Sequence, residues 1–547
     1  MLLRTFGLIT LIAVTLFALS GQTRTAIEIK PIGNPDAPQG GIFYKALGAE
    51  PESLHPISST DLYSTIVQGP VFDTLLMRNI DSYEFEPYLA ESWEVSRDGM
   101  VFTFVLREGA KWHDGKPVTV EDVKFSFEAI KDPRFLAARS MPYYENIEKA
   151  EIVDSRTIRF TASQKYFNNF SVLATLTVVP KHFYGDPDKR VGREMVGSGP
   201  YRLHRYDGGR SIVLHRNKDW WGNEVDHLKG ANKFDQIFFR IIREENMRLA
   251  QLQRGNLDFG ELSADQFVRQ TRGRAWGRSV HKQQVENKAP KSYGYVGWNL
   301  RNPLFQDRRV RLALAHLMDR EDMNRKFRHN MSLLATGPWY RQNPFADSEL
   351  EPIGFNPKRA QELLTEAGWE DKERRGILSK EIDGQRQDFR FTLMFANRDN
   401  EKYMTQYKEA LKNAGIDMTI RLLEWNSLVR ALDERNFDAV QLGWGGGSVD
   451  VDPKQIWHTE SMRDGGSNYI GYSNPKVDKL IDEARQELNR EERIKKLQEV
   501  YRQIAADAPY AFMFVDRYQL YAHSDRMGME KPTYSYGIGD GYWWITK

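Results

Sequence analysis

The stretch 388–444 constrains this chain more than any other, because strand and helix patterns alternate there with clear punctuation. Phe389, Phe391, Leu393 and Phe395 recur at every second position, the spacing of a strand with one buried face. A helix follows over about 401–414 and stops at Gly415. Ile416, Met418, Ile420 and Leu422 alternate along a second strand, Asn426 caps another helix, and 437–443 is a third strand. Strand, helix, strand, helix, strand in that order predicts a parallel sheet with right-handed crossovers. Ligands of open α/β sheets sit in the crevice beyond the carboxyl ends of the strands. Trp425 directly follows the strand ending near Glu424, and Trp444 directly follows the strand ending at Gly443, so both rings are expected to face that crevice. Gly445, Gly446 and Gly447 then admit close backbone approach, and Asp450 and Asp452 come after them. The competing reading is a glycine turn with core tryptophans and solvated acids; two tryptophans at successive strand ends balance it.

The flanks fit the same mixed α/β class. Asn356-Pro357 starts a helix with Ala360, Leu363, Leu364 and Ala367 on one face and Gly368 as its stop, and Asn474-Pro475 starts another with Val477, Leu480, Ile481 and Ala484. In the first half, 101–106 has strand composition, and after the turn Asp114-Gly115-Lys116-Pro117 a capping box of Thr119 and Asp122 opens a helix facing the core with Val123, Phe127 and Ile130. Further strands are expected at 156–161, 211–216 and 235–242, with Gly197-Ser198-Gly199-Pro200 as a turn. A chain of 547 residues exceeds what one hydrophobic core supports, so two or three domains are expected.

Residues 1–22 read as an export signal. Arg4 supplies the positive end, 6–19 is an apolar run too short to span a bilayer, and Ala18-Leu19-Ser20 is a small-x-small cleavage site. The mature protein is expected to begin near Gly21. The absence of cysteine removes disulfides, thiolate metal sites, cysteine nucleophiles and the acceptor for a lipid anchor. A soluble, unlipidated periplasmic protein is the expectation. Lys and Arg number 77 against 75 Asp and Glu, so no excess positive field attracts nucleic acid.

Motifs for chemistry are missing. Gly109 to Lys116 has five residues between its glycines where a phosphate loop has four, and Pro117 stands in place of the magnesium-binding hydroxyl. The eleven histidines include no pair at helical ligand spacing, and Ser448 lacks the second glycine of a nucleophile elbow. No catalytic residue, metal site or cofactor is expected. A secreted glycosidase with two carboxylates across a cleft stays open as the enzyme alternative.

Several segments in one order carry a resemblance. They are Glu50-Pro-Glu-Ser-Leu-His-Pro56, Leu89-Ala-Glu-Ser-Trp-Glu-Val-Ser-Arg-Asp-Gly99 continuing through 102–107 to Trp112-His-Asp-Gly-Lys-Pro-Val-Thr-Val-Glu-Asp-Val123, Gly197-Ser-Gly-Pro-Tyr201, 305–314 and Tyr472-Ser-Asn-Pro-Lys-Val-Asp478. From about 40 to 520 the chain resembles the family 5 extracellular solute-binding proteins, the oligopeptide, dipeptide and nickel-binding components of ABC importers. The resemblance implies a periplasmic-binding-protein-like fold of two lobes with mixed sheets, a two-strand hinge that closes over ligand, and an extra domain on the first lobe. Lobe I would comprise 27–68, 180–290 and 510–547, the extra domain 69–179, and lobe II 291–509. It implies a monomeric carrier of peptides or peptide-like compounds, serving an ABC permease in the inner membrane; the same fold also carries sugars, opines and metal chelates. Peptide-binding members pair an aspartate shortly after a Gly-Trp with the ligand's amine. Gly443-Trp444 matches that pattern and Trp425 matches another pocket tryptophan, but Gly445 to Ser448 stand where the nearest aspartate would be. Asp450 or Asp452 is therefore the expected anchor, with Gly445, Trp298, Asn299 and Tyr143 as further substrate-binding candidates. The long Asp-Val-Asp-Pro-Lys-Gln-Ile-Trp-His form is similar to the subgroup that imports modified peptides.

Overall fold

The computed structural model describes residues 29–59, 61–189 and 193–546; the export signal read from the sequence lies outside them. The stretch 388–444 folds as its pattern requires. Arg390–Phe395 runs parallel to Asp417–Leu422 on one side and to Ala439–Trp444 on the other. Helices Glu401–Asn413 and Trp425–Asp433 connect them. The second helix is capped by Glu424 rather than Asn426: its carboxylate accepts the backbone N–H of Asn426 at 2.8 Å and of Ser427 at 3.4 Å. Tyr293–Trp298, Tyr510–Asp516 and Ser332–Leu334, antiparallel to their neighbours, extend this to a six-stranded mixed sheet. Helices cover both faces. Phe391, Leu393 and Ala439 enter one core with Leu314, Leu364 and Tyr407; Tyr295, Val440 and Phe512 enter the other with Leu432, Ile481 and Val500.

The first half of the chain carries two further four-stranded sheets. One is mixed, in the order Ile42–Leu47, Gln236–Ile241, Ser211–Arg216, Tyr201–Asp207, with its first pair parallel. The other is antiparallel, in the order Ala90–Val95, Val101–Leu106, Thr157–Ala162, Ile147–Ile152. Helix Val120–Lys131 joins the two. Val123 and Phe127 pack with Phe104 and Phe160 of the antiparallel sheet, while Phe125 and Ala129 pack with Tyr201, Ile212 and Phe239 of the mixed sheet. Its start is the expected capping box, and Asp122 does more than cap: besides the Thr119 N–H at 3.1 Å it accepts Trp112 Nε1 at 3.1 Å and the Lys181 N–H at 2.8 Å. The turn at Gly197–Pro200 is held by His113, whose Nδ1 accepts the Gly197 N–H and whose Nε2 meets the Gly199 carbonyl at 3.0 Å. Ser198 Oγ donates to the buried Asp73.

A three-stranded sheet, Phe259–Glu261, Gln519–Ser524, Val280–Val285, stands where the chain changes body. From Val280–Val285 it passes to Tyr293–Trp298, and from Tyr510–Asp516 it returns to Gln519–Ser524. Among the described residues each buried apolar cluster stays on one side of those two crossings. The sequence reading started the last piece of lobe I at 510. Tyr510–Asp516 pairs with Tyr293–Trp298 inside the six-stranded sheet.

Candidate ligand-binding cleft

Trp444 is the last residue of its strand, and its ring lies in a layer of aromatics. The Tyr469 ring is parallel to it, 5.8 Å away at 3°, and the Tyr295 ring lies 6.3 Å away at 18°. Tyr295 in turn stacks on Tyr510 at 3.8 Å, and Trp444 Nε1 donates to the Tyr510 hydroxyl at 3.3 Å. Burial raises the hydroxyl pKa values of Tyr295, Tyr469 and Tyr510, so these groups stay neutral hydrogen-bonding partners. Tyr295, Tyr469 and Tyr510 are buried and back Trp444, the partly exposed ring of the layer, which is the surface suited to stacking against planar groups of a solute.

Trp425 opens its helix at the end of the neighbouring strand and reaches across to the first body. Its ring meets Tyr63 edge to face, 5.8 Å apart at 87°, and its Nε1 is buried without a hydrogen-bond partner. Tyr63 sits in helix Leu62–Gln68, fixed by Asp61, whose carboxylate accepts the N–H groups of Tyr63 and Ser64. Two aromatics from opposite bodies thus meet beside the strand ends.

Of the three glycines, Gly445 faces open space, and a Cβ there would meet nothing within 4 Å. Gly446 is the one geometry demands: a Cβ would lie 2.3 Å from the backbone carbon of Pro290, in the first crossing segment. Gly447 has φ +63°.

Arginines sit beside both loop aspartates. Asp450 lies 3.2 Å from Arg490 Nε and 3.7 Å from Arg493, both on helix Arg490–Asp507. Asp452 is 2% exposed and accepts from Arg485 Nε at 3.1 Å, from the Tyr166 hydroxyl and from the Lys454 N–H. Arg485 also bonds Glu145 and the Pro142 carbonyl, and Lys454 lies 2.9 Å from Glu145. Tyr143 Oη donates to Gln455 at 2.6 Å. Asp452 and Tyr143 therefore belong to the seam that ties residues 143–166 to the loop 450–455.

Trp298 and Asn299 lie away from these strand ends. In the antiparallel pair, Tyr293 sits opposite Trp444 and Trp298 opposite Ala439, so Trp298 lies at the far end of the sheet, fully buried. Asn299 pins the turn beyond it, donating to the Phe437 carbonyl at 2.9 Å and the Arg435 carbonyl at 3.2 Å. The rule about carboxyl ends holds for parallel strands only, and this strand runs the other way. Tyr295, Tyr469, Tyr510 and Tyr63 were not read from the sequence. The alternation of Tyr293 and Tyr295 was the available signal for the first of them.

A polar cavity of about 830 Å3 also opens between the bodies, lined by Glu245, Ser263 and Gln266 on one side and Arg398, Asp399 and Lys402 on the other. Neither tryptophan lines it. Among the described residues no three His, Asp or Glu side chains converge as a metal site, and no helix is long and apolar enough to cross a membrane.

Two bodies joined by two chain crossings, with aromatics of both meeting at strand ends, define a two-lobed solute-binding protein. The chain belongs to the bacterial extracellular solute-binding proteins, family 5, whose middle-segment model matches residues 84–465. It is 26% identical to the oligopeptide-binding protein AppA of Bacillus subtilis, over 99% of this chain and 98% of that one. The structure of that protein in complex with a nonapeptide superposes with a TM-score of 0.84 at 27% identity, covering 93% of this chain and all of the other. The fold is shared with DppA of Helicobacter pylori in complex with the peptide STSA, at a TM-score of 0.81, 22% identity, and 93% and 99% coverage.

Proposed function

We propose that this protein captures peptides or peptide-like solutes between its two bodies and delivers them to the permease of an ABC importer, without catalysing a reaction. The observation that carries the reading is the meeting of Trp425 with Tyr63 across the cleft, beside the Trp444–Tyr469 face. Trp425, Trp444 and the open backbone at Gly445 are the contacts assigned to the solute. Asp450 and Asp452 are assigned to the loop itself, because arginines already balance both charges. The lobes we assign are 29–68, 180–290 and 517–546 for the first, 69–179 as its extra domain, and 291–516 for the second. Closure about the two crossings follows if the solute binds the closed arrangement better than the open one. Export to the periplasm with cleavage near Gly21, without lipid and as a monomer, completes the reading. It rests on the apolar run, the small-x-small site and the lack of cysteine.

The test is native mass spectrometry of the purified periplasmic protein. A retained adduct whose fragments are amino acids supports the reading. A sugar, opine or metal chelate replaces the solute class, and turnover in a chromogenic hydrolase panel overturns the reading altogether.

A further inference from the structure

Arg139 stands where three parts of the molecule meet. It belongs to the stretch between the short turn Pro133–Phe135 and helix Met141–Tyr144, and the backbone on either side of it is anchored. Phe135 and Ala137 are buried in the same core as Ile57, Phe125 and Tyr201, and the N–H groups of Ser140 and Met141 both close onto the Ala137 carbonyl. With its backbone held in the first body, the Arg139 side chain projects to the second. Its Nη2 lies 2.8 Å and 2.9 Å from the two carboxylate oxygens of Asp433, the last residue of the helix that Trp425 begins. Its Nη1 lies 3.6 Å from Glu52, in the segment after the first strand of the mixed sheet. The side chain is only 14% exposed. The neighbouring residue repeats the crossing: the Ala138 carbonyl accepts from Arg463 at 3.4 Å. Arg139 also acts electrostatically on Tyr469, the ring stacked on Trp444, so the contact stands beside the aromatic face.

We propose that Arg139 is the clasp of the closed state, a positioning residue that holds the two bodies together at the rim of the aromatic face. This rests on the closing motion of the proposed function, but it can be read without any solute. One guanidinium bridges a carboxylate of each body, and its partners define what its loss does. Without Arg139, Glu52 and Asp433 are two like charges close enough to perturb each other across the gap, so the groups that now hold the bodies together repel them. The bridge exists only when the bodies are together, so every increment of its strength enters the closed population and, through it, the apparent affinity for solute.

The test uses the absence of native cysteine. Spin labels on Val268→Cys and Phe355→Cys, exposed positions on the first and second bodies, report the distance between the bodies by pulsed electron resonance. In the otherwise unchanged protein, unfolded, dialysed free of retained solute and refolded, a short-distance population is expected. Arg139→Gln is expected to reduce the closed-to-open ratio roughly tenfold, between the small effect of an exposed pair and the large effect of a buried one. Asp433→Asn is expected to lie between the two, and Arg139→Lys to restore part of the loss, since a single ammonium lacks the second nitrogen that reaches Glu52 while the first holds Asp433. The exchange Arg139→Asp with Asp433→Arg is expected to recover most of the closed population. A purely local stabilising role predicts a lowered melting temperature with an unchanged distance distribution, and that result overturns the clasp. So does an Arg139→Gln distribution identical to the parent's when both melt alike. Because no solute enters the measurement, its failure leaves the peptide reading to the mass spectrum.

Discussion

Asp452 and Arg485 form an ion pair in which the two side chains are 2% and 4% exposed. Charges so far from water are tolerated because each is fully partnered: Asp452 also takes the Tyr166 hydroxyl and the Lys454 N–H, and Arg485 also takes Glu145 and the Pro142 carbonyl. Arg485 is held strongly cationic; burial opposes its charge, and the Asp452 charge, first among the compensating causes, prevails. Asp452→Asn would leave the guanidinium with Glu145 as its one paired carboxylate. The expected cost is about 3 kcal/mol, seen by calorimetry as a lower melting temperature. Solute affinity measured well below that temperature is expected to change less than about threefold, because the carboxylate is taken up by Arg485 and Tyr166. A large affinity loss with unchanged melting returns Asp452 to the binding site.

Asp450 differs in being partly exposed, with Arg490 and Arg493 beside it. Exposed and half-exposed pairs contribute roughly 0 to 1 kcal/mol. Asp450→Asn is therefore expected to be nearly silent in stability. Titration calorimetry with the solute identified by mass separates the two roles: a loss beyond about 30-fold marks a charge that pairs directly with the solute.

The glycine loop gives a paired test. Gly446→Ala places a methyl group against the Pro290 backbone, which cannot swing aside as a side chain would. Overpacking of that kind costs roughly 1 to 3 kcal/mol, and here it also displaces the crossing segment. Gly445→Ala meets nothing and has ordinary backbone geometry, so it is expected to stay within about 0.5 kcal/mol of the parent. Equal effects of the two substitutions in chemical denaturation would contradict the contact.

What the sequence disclosed was local. Period-two alternation at 389–395 and 416–422, the Asn-Pro helix starts and the Thr119–Asp122 box each follow from neighbours in the chain, and each is present in the structure. The parallel pairing of 390–395 with two strands followed from the same alternation, and it placed Trp425 and Trp444 at strand ends. Apart from the cap at Glu424, what the sequence left hidden was long-range. Nothing near Asp452 in the chain points to Arg485, 33 residues on, or to Tyr166, 286 residues back. The direction of the strand that ends at Trp298 was not legible either, and one reversal moves a residue from one end of a sheet to the other. Tyr63 and Arg139 became visible only when the bodies were set face to face.

His113 supplies a test of the first body that involves no substitution at the cleft. Its Nδ1 accepts the Gly197 N–H at 3.2 Å and its Nε2 donates to the Gly199 carbonyl, 3.0 Å away, an arrangement only the neutral Nε2–H tautomer satisfies. Burial is the main reason that its pKa falls from 6.5 to about 4, with the Gly199 carbonyl opposing and the Arg202 charge assisting. At neutral pH the ring is uncharged both folded and unfolded, so its contribution to stability is complete above pH 6.5. As the pH falls below 6.5 the unfolded chain takes up a proton that the folded protein refuses, and stability drops until the folded ring also protonates near pH 4. Over that window the loss approaches one proton's slope, about 1.4 kcal/mol per pH unit, for a total of about 2 to 3 kcal/mol. The buried Asp73, bonded to Ser198 of the same turn, has its carboxyl raised by burial and acts in the opposite sense, gaining a proton in the folded state first. The readout is therefore the difference in slope between the parent and His113→Gln in urea unfolding from pH 7 to 4, with the variant expected to be the flatter. Nuclear magnetic resonance of the imidazole should give a midpoint near 4. A midpoint between 6 and 7, or parallel slopes for the two proteins, would show that the ring is solvated and that the turn is held by something else.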